Sequence, residues 1–587
     1  MSPNKDYGPT LPISREIHQT KYRGEQETFY DSMMRQSSAL GDNDEHRRAF
    51  SDIILNQRFM AAGRVQSAVG SPRQVTPWNC FVSGTIEDSF ESIMQRVKEA
   101  GETMRMGGGI GYDFSTLRPK GERIKSLDSQ SSGPVSFMDI FDATCGTISS
   151  SGHRRGAQMG VMRVDHPDIM EFIHAKRNSS KLTRFNISVG VTDEFMEAVK
   201  AGKQFNLKWK GRVKDTVDAR ALWDDIMRST WDWAEPGVLF IDRINKQNNL
   251  WYCEDIRATN PCGEQPLPPY GACLLGSFNL VKYVDTSTGE IDLDALRRDI
   301  PVVVRAMDNV IDVGIYPLKK QEEEGKNKRR MGLGVTGLAN AVEASGRWYG
   351  TSEFLEKTEE ILRTLRDECY RASMELSREK GPFPLFDAEQ YLQGDFIQRL
   401  PEDIQQGIRE HGIRNSHLIS IAPTGTISLS ADNISSGIEP VFTYEFTRTI
   451  QTFDGPMFET VSDYGYREWG LEGRKAGEIA VEDHVNVLTA CQKYVDSSCS
   501  KTCNVGDDVS WERFKDVYMQ AYEGGAKGCT TFRAAGKRYG ILNESTKRED
   551  EEESGGPADT EEQEYIDDED SVSACSIDLQ TGQPTCS

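Results

Sequence analysis

Apolar positions along the chain follow two spacings. After Asp88-Ser89, the residues Phe90, Ile93, Met94 and Val97 recur three and four apart, which predicts an amphipathic helix opened by a serine cap. A longer helix is predicted from Ser352, with Phe354, Leu355, Ile361, Leu362 and Leu365 on one face and Gly381-Pro382 as its stop. A third is predicted over Trp511 to Tyr522. Short apolar runs lie between them, FNISVGV at 185–191 and LISIAP at 418–423, and these read as buried strands. Residues 1–75 read as helical turns leading into the body. No internal repeat is visible. Strands alternating with helices through the body predict a parallel α/β architecture.

From Thr546 the pattern ends. TKREDEEESGGPADTEEQEYIDDEDSVS is acidic and nearly without large apolar groups, which predicts a disordered tether. It leads to ACSIDLQTGQPTCS, which places Cys575 and Cys586 at its end. The expected division is therefore a helical N-terminal region at 1–75, a folded α/β body at 76–545 and a tail at 546–587.

With 587 residues, the body exceeds what one small core usually fills; one large barrel with extensions, or two to three domains, is expected. No stretch approaches the ~18 uninterrupted apolar residues of a membrane span. The N-terminal MSPNKDYGPTLPISREIHQTKYRGE lacks the apolar core of a secretory signal, so a cytoplasmic location is expected. Net charge is −23, and 13 of the negative charges fall between Glu549 and Asp570. The body is then only mildly acidic, and no Lys/Arg run suggests nucleic-acid binding.

The 12 cysteines are too sparse for a disulfide scaffold, and the absence of a CxxC pair argues against structural zinc, so no metal site is expected. Cys145, Cys253, Cys369, Cys491, Cys499 and Cys503 are expected to be small buried hydrophobes. Asn260-Pro261-Cys262-Gly263-Glu264 is different. In an extended segment residues i, i+2 and i+4 share a face, which sets an amide, a thiol and a carboxylate side by side. The same spacing fits an incidental strand edge. Cys273 follows in PYGACLLGSFNL, and Cys80 lies far upstream in TPWNCFVSG. A fold that joined them would make a redox pair facing a third cysteine. Ala422-Pro423-Thr424-Gly425-Thr426-Ile427-Ser428 follows the predicted strand at 418–423 and offers free N–H groups and short hydroxyls to a phosphate. It is not a Walker A sequence. MGGGIG at 106–111 reads as a tight turn.

WNCFVSG, GGGIGYDFSTLRPKG, SSGPVSFM, RRGAQMGVMRVDHPDI, NPCGEQPLPPYGAC, IAPTGTISL, SSGIEPVF and GCTTFR occur in this order. Together they resemble the catalytic chains of ribonucleotide reductases, from about residue 10 to residue 543. The resemblance is closest to the adenosylcobalamin-dependent class. Cys80 comes too early to leave room for an N-terminal ATP cone, the tyrosine pair of the iron-dependent class is absent, and GCTTFRAAGKRYG stands in its place. The glycyl-radical loop and cysteine set of the anaerobic class are also missing. No DxHxxG motif is present, so the resemblance implies adenosylcobalamin held without a histidine ligand to cobalt.

The resemblance implies a ten-stranded α/β barrel of two five-stranded parallel halves, with a central finger loop carrying Cys262. It implies that Cys262 becomes a thiyl and takes hydrogen from C3′ of a ribonucleotide. Glu264 would act as base on the 3′-hydroxyl, and Asn260 would bond the substrate hydroxyls. Cys80 and Cys273 would supply proton and electrons and end as a disulfide. Cys575 and Cys586 would reduce that disulfide by exchange, drawing on thioredoxin or glutaredoxin; a tether of ~30 residues reaches roughly 30 Å. Their ten-residue separation is wider than the family pattern. Substrate phosphates are expected at Pro423, Thr424, Gly425, Thr426 and Ile427, with Asn79 and Gly109 lining the substrate site. A deoxynucleotide specificity effector is expected at Asp88, Arg118 and the loop near 121–133, at a homodimer interface, with Arg155 relaying it. The same reaction driven by a dimetal partner subunit stays open, as does an inactive nucleotide-binding regulator. Retention of Cys80, Asn260, Cys262, Glu264 and Cys273 argues against the latter. A cysteine hydrolase would need a histidine near Cys262.

Overall fold

The computed structural model describes residues 7–148, 157–177, 181–452, 455–506 and 508–533, with two short C-terminal strands, Cys575–Ile577 and Pro584–Cys586. The acidic tether and Arg155 lie outside the described residues.

The N-terminal region is helical, as its sequence predicts: α1 (Pro12–Tyr22), α2 (Phe29–Leu40) and α3 (Asp44–Leu55). A capping box at Thr28 with Asp31 opens α2, and the Asn43 side chain opens α3. The chain then forms β1 (Phe59–Ala61), β2 (Cys80–Val82), α4 (Phe90–Arg105), β3 (Gly109–Asp113), β4 (Gln158–Arg163), β5 (Phe185–Val191) and β6 (Gly237–Phe240). Beyond these lie β7 (Leu275–Asn279), β8 (Gly332–Thr336), α5 (Ser352–Lys380), α6 (Gly425–Leu429), β9 (Thr502–Asn504) and β10 (Gly528–Phe532).

Strands β2, β3, β4, β5 and β6 pair in chain order, all parallel. Phe185, Ile187, Val189 and Val191 of β5 are all 1% exposed or less. Covered on both faces, such strands read as continuous apolar runs rather than alternating ones. Each fully buried large side chain contributes about 1.5–3 kcal/mol. β10 continues the sheet antiparallel to β6, and β9 lies parallel to β10. A second sheet has β7 between β1 and β8, with β7 and β8 parallel.

Single bridges link the two sheets. Leu333 pairs with Ile419, Ile421 with Cys499, and Phe81 with Ala272. The strand predicted at 418–423 is thus reduced to isolated bridges. The Leu418 and Ile419 N–H groups are taken by the Asp496 carboxylate at 2.7 and 3.0 Å, which removes them from the ladder.

The three predicted helices are present, at Phe90–Arg105, Ser352–Lys380 and Trp511–Glu523. Ser89 caps α4 as expected. The face of α4 differs from the reading: Ile93 and Val97 are buried, but Phe90 is 70% exposed and Met94 38%. Among the described residues no helix is long and apolar enough to cross a membrane.

Candidate active site

Cys80 opens β2 and Cys273 lies just before β7. The antiparallel bridge Phe81–Ala272 makes them cross-strand neighbours, and the Cys273 N–H donates to the Cys80 carbonyl at 2.9 Å. Directly opposed residues of an antiparallel pair have Cα atoms about 4.5–5.5 Å apart, within the range a disulfide spans. Both are buried thiols. The juxtaposition that sequence could only posit is present.

Asn260, Cys262 and Glu264 form the tip of a loop, not an extended row. Ala258–Thr259 pairs antiparallel with Pro266–Leu267, and the chain reverses between them. The Asn260 N–H donates to the Gln265 carbonyl at 3.1 Å, the Gln265 N–H to Asn260 Oδ1 at 2.9 Å, and the Gly263 N–H to the Asn260 carbonyl at 3.0 Å. Gly263 has φ +80°, which suits glycine. The Asn260 side chain thus closes the turn that the extended reading missed. Cys262 is disulfide-bonded in this structure.

MGGGIG is more than the tight turn expected of it. Gly107 turns at φ +97°, but Gly109 and Gly111 belong to β3. A Cβ on Gly111 would lie 1.9 Å from the Thr259 carbonyl oxygen; one on Gly109 would lie 3.1 Å from Cys80 Sγ and 3.3 Å from Pro261 Cγ. These glycines let the loop press against the sheet.

Cys80, Asn79, Cys262, Glu264, Ala422, Pro423, Thr424 and Ile427 line one cavity together with Tyr22, Ala62, Gly63, Leu275, Gly276 and Ser277. Asn79 Oδ1 and Asn260 Nδ2 are buried and find no hydrogen-bond partner among the described residues.

At the other end, Thr424 sits at φ +56° immediately before α6. A hydroxyl cluster holds it there. Thr424 Oγ1 meets Thr336 Oγ1 at 2.9 Å and Ser428 Oγ at 3.1 Å, and it accepts the Gly437 N–H at 2.7 Å. The first N–H groups of a helix have no partner within it, and its N-terminus is electropositive. The backbone at Gly425, Thr426 and Ile427 is therefore suited to an anion.

Sequence reading missed Thr336 and the fully buried Lys501. Lys501 Nζ bonds Glu439 Oε2 at 2.5 Å and His484 Nδ1 at 3.0 Å, while Glu439 Oε1 accepts the Thr502 N–H at 2.6 Å. Burial and the neighbouring ammonium hold His484 neutral, well below its usual pKa. SSGIEP carried this signal in its lone glutamate, but nothing local pointed to its distant partner.

Asp88 and Arg118 come together, with Arg118 Nε 3.0 and 3.1 Å from the two Asp88 oxygens and Lys210 Nζ 3.4 Å away. They lie outside the residues lining the cavity. Cys575 and Cys586 occupy paired positions of the C-terminal two-stranded ribbon, and the backbone of Pro584–Cys586 lies against α6. Of the cysteines expected to be buried, Cys253 is exposed; it sits in the turn after Trp251, outside any element. Among the described residues no group of three or more His, Cys, Asp or Glu could hold a metal ion.

Fold and site define the class: an α/β protein with a buried cysteine pair facing a third cysteine, an amide and a carboxylate. Residues 78–468 and 472–532 match the ribonucleotide reductase barrel domain, and the chain belongs to that family. It is 36% identical over 501 residues to the vitamin B12-dependent ribonucleoside-diphosphate reductase of Thermoplasma acidophilum, covering 80% of this chain and 62% of that protein. It is 36% identical over 553 residues to the protein of the same description from Mycobacterium tuberculosis, covering 88% and 77%. The ribonucleoside-diphosphate reductase large subunit of variola virus is 25% identical over 510 residues, covering 80% and 63%.

Proposed function

We propose that this chain reduces ribonucleotides to 2′-deoxyribonucleotides with adenosylcobalamin as radical source. One observation carries the reading: Cys80, which has Cys273 as its cross-strand neighbour, lines the same cavity as Cys262, Glu264 and the helix-start residues Pro423 and Thr424.

The parts divide the work. The backbone at Pro423–Ile427 holds the phosphates, and Gly109 leaves the ribose room against β3. Asn79 Oδ1 and Asn260 Nδ2 offer one acceptor and one donor to ribose hydroxyls. Glu264 takes the 3′-hydroxyl proton while the Cys262 thiyl takes the C3′ hydrogen. The 2′-hydroxyl leaves as water on a proton from the cysteine pair. Cys80 and Cys273 give two electrons and two protons in all and end as a disulfide, Cys262 returns its hydrogen to C3′ and Glu264 its proton to the 3′-oxygen, so each turnover consumes one dithiol. Cys575 and Cys586 then restore it by exchange, and thioredoxin or glutaredoxin restores them.

The residues present fit the cofactor. Ala62, Gly63, Gly276 and Ser277 put a wall of small residues beside Cys262 in the cavity, the side on which a nucleoside arm of the cofactor would lie. Adenosylcobalamin, when bound, supplies the oxidising equivalent that converts the Cys262 thiol to a thiyl, and the cavity shields that thiyl.

Other parts of the reading rest on neighbouring observations. The two sheets and their bridges form one circuit, from β2 through β6, β10, β9 and β8 to β7 and back at Phe81–Ala272, which supports a ten-stranded barrel. The exposed Phe90 and Met94 lie next to Asp88, which supports a homodimer interface with a deoxynucleotide effector site at Asp88 and Arg118. Cytoplasmic location follows from the chemistry of a thioredoxin-linked DNA-precursor enzyme.

The test is nucleotide reduction by the pre-reduced chain, with and without adenosylcobalamin, over diphosphate and triphosphate substrates. Deoxynucleotide formed only with adenosylcobalamin and no second protein supports the reading. Activity only with a dimetal protein would overturn the cofactor, and no product under any condition would overturn the reaction.

A further inference from the structure

Helix α1 precedes the residues matched to the barrel domain, which begin at position 78. It nevertheless builds part of the cavity. Its last residue, Tyr22, is 3% exposed and lines the same space as Cys80, Cys262, Glu264 and Thr424. It is the only aromatic residue among those lining residues.

The ring is held in place. The His18 imidazole packs edge-on against it, with centroids 5.4 Å apart and planes at 90°. Burial and Arg23 lower the pKa of His18 to about 3, so it packs as a neutral ring. A Cβ on Gly63 would lie 2.6 Å from Tyr22 Cε1, so the phenol rests on backbone that only glycine leaves bare. The wall beside it is small. Gly276 lacks a Cβ that would point at Phe59, 2.2 Å from its ring, so what faces the cavity is backbone.

Helix α1 is also tied to the anion-suited helix. The Thr10 and Leu11 N–H groups donate to Asp432 Oδ1 at 2.6 and 2.8 Å, and Ser14 Oγ donates to the Leu429 carbonyl at 2.6 Å. Tyr22 therefore keeps a fixed position relative to α6 and to whatever α6 holds. An aromatic ring held beside a wall of small residues, in the cavity that Cys262 and Thr424 also line, has the shape to pack a flat sugar–base group.

We propose that the Tyr22 ring is a nucleoside-binding face of this cavity, contributed by the N-terminal helix. The inference rests on the reading above that the cavity takes nucleotides. The same chemistry has two sources there, the nucleoside of the substrate and the deoxyadenosyl arm of the cofactor, and the experiment separates them.

Tyr22→Phe and Tyr22→Leu are made in the full, pre-reduced chain. Dissociation constants are measured for CDP and ADP without cofactor, and for 5′-deoxyadenosine without nucleotide. Stacking on an aromatic side chain is lost with leucine and kept with phenylalanine, so Tyr22→Leu should weaken binding about tenfold and Tyr22→Phe by less than about twofold. Weaker CDP and ADP binding assigns the ring to the substrate, with KM rising more than kcat falls. Weaker 5′-deoxyadenosine binding assigns it to the cofactor arm. Ala62→Val narrows the slot from the neighbouring wall and should weaken the same probe, which keeps the test decisive if Tyr22→Leu does not fold. Parent-like affinity of Tyr22→Leu for all three probes would overturn the inference alone. Equal loss in Tyr22→Phe would also overturn it, by putting the hydroxyl rather than the ring in charge. A parent chain that bound none of the probes would overturn the reduction reading as well.

Discussion

Gly111→Ala is the sharpest test of how the loop bearing Cys262 is positioned. The added Cβ would lie 1.9 Å from the Thr259 carbonyl oxygen, and that oxygen belongs to backbone entering the loop. An ordinary carbon–oxygen contact is about 3.2 Å, so strand and loop have to part by roughly 1.3 Å, since atoms in a close-packed interior cannot overlap. Overpacking of this kind costs about 1–3 kcal/mol of stability. That is tolerable for a large body, so the variant should fold. Its activity should suffer far more, because a 1 Å misplacement of a reacting group costs on the order of a hundredfold. Gly190→Ala is the control: its Cβ meets nothing closer than 3.7 Å, and it lies on β5 away from the loop. Steady-state nucleotide reduction, nucleotide affinity and the melting temperature are measured for both variants. Gly111→Ala should lose about a hundredfold in kcat and keep nucleotide affinity at the phosphate end; Gly190→Ala should stay within about twofold of the parent. Full turnover by Gly111→Ala would refute the reasoning, because the loop would then not depend on that contact.

Cys262→Ser should abolish product while leaving nucleotide binding nearly intact, because a hydroxyl does not form the needed radical under these conditions; product above background would sink the thiyl assignment. Changing both Cys575 and Cys586 to Ser should remove thioredoxin-supported multiple turnover and spare dithiothreitol-supported activity, since a small dithiol diffuses into the cavity and thioredoxin does not. Equal activity with both donors would show that electrons enter by another route. Glu343 is buried, and desolvation raises its carboxyl pKa from 4.5 to about 7 against the opposing Tyr349 and Arg474 N–H groups. A folded pKa above the unfolded one means that the folded state binds the extra proton, so this group's stabilisation is full below about pH 4.5 and is lost as pH rises to about 7, by at most about 3 kcal/mol. Urea unfolding at pH 5 and pH 8 should show a smaller difference in Glu343→Gln than in the parent; an unchanged difference would contradict the assignment.

Much of this was legible before any coordinates. FNISVGV is a strand from end to end because both faces are covered and nothing interrupts the apolar run. Ser89 and Gly381 bound their helices because caps are local chemistry. What failed to show depended on distant partners. LISIAP has the composition of a strand, but Asp496, more than seventy residues on, takes two of its N–H groups. Phe90 and Met94 fit the helical period, yet the period says only that residues share a side, not what covers it. The row Asn260, Cys262, Glu264 is a loop tip rather than an extended edge, because the Asn260 amide closes the turn with its oxygen onto an N–H five residues on. Tyr22 left no signal at all: a tyrosine at the end of an amphipathic helix looks like any core residue until the fold brings Gly63 beneath it.

A loop carried into the interior breaks the rule that irregular backbone stays at the surface, where water can satisfy it. Here several of the loop's backbone groups are met from within the fold. The Glu264 carbonyl accepts Ser420 Oγ at 2.9 Å and the Ser498 N–H at 3.0 Å, and the Pro261 carbonyl accepts Asn186 Nδ2 at 3.2 Å. The Asn260 carbonyl accepts the Gly263 N–H at 3.0 Å and Thr259 Oγ1 at 2.9 Å, while proline at 261 has no N–H to satisfy. Side-chain amides remain: Asn79 Oδ1, Asn260 Nδ2 and both polar atoms of Gln265 are buried without a partner among the described residues. Each such group costs about 1–3 kcal/mol unless something meets it. The fold thus meets much of its loop's backbone and leaves polar side-chain atoms at and behind the cavity without a partner among the described residues, which suits the hydroxyl-bearing ligand proposed above. On the proposed reading, a ribose that supplies one donor and one acceptor would meet Asn79 Oδ1 and Asn260 Nδ2, and a sugar lacking one of them would leave an amide unpaired. Asn260 would then serve twice, closing the turn beside Cys262 with its oxygen and offering Nδ2 to the sugar.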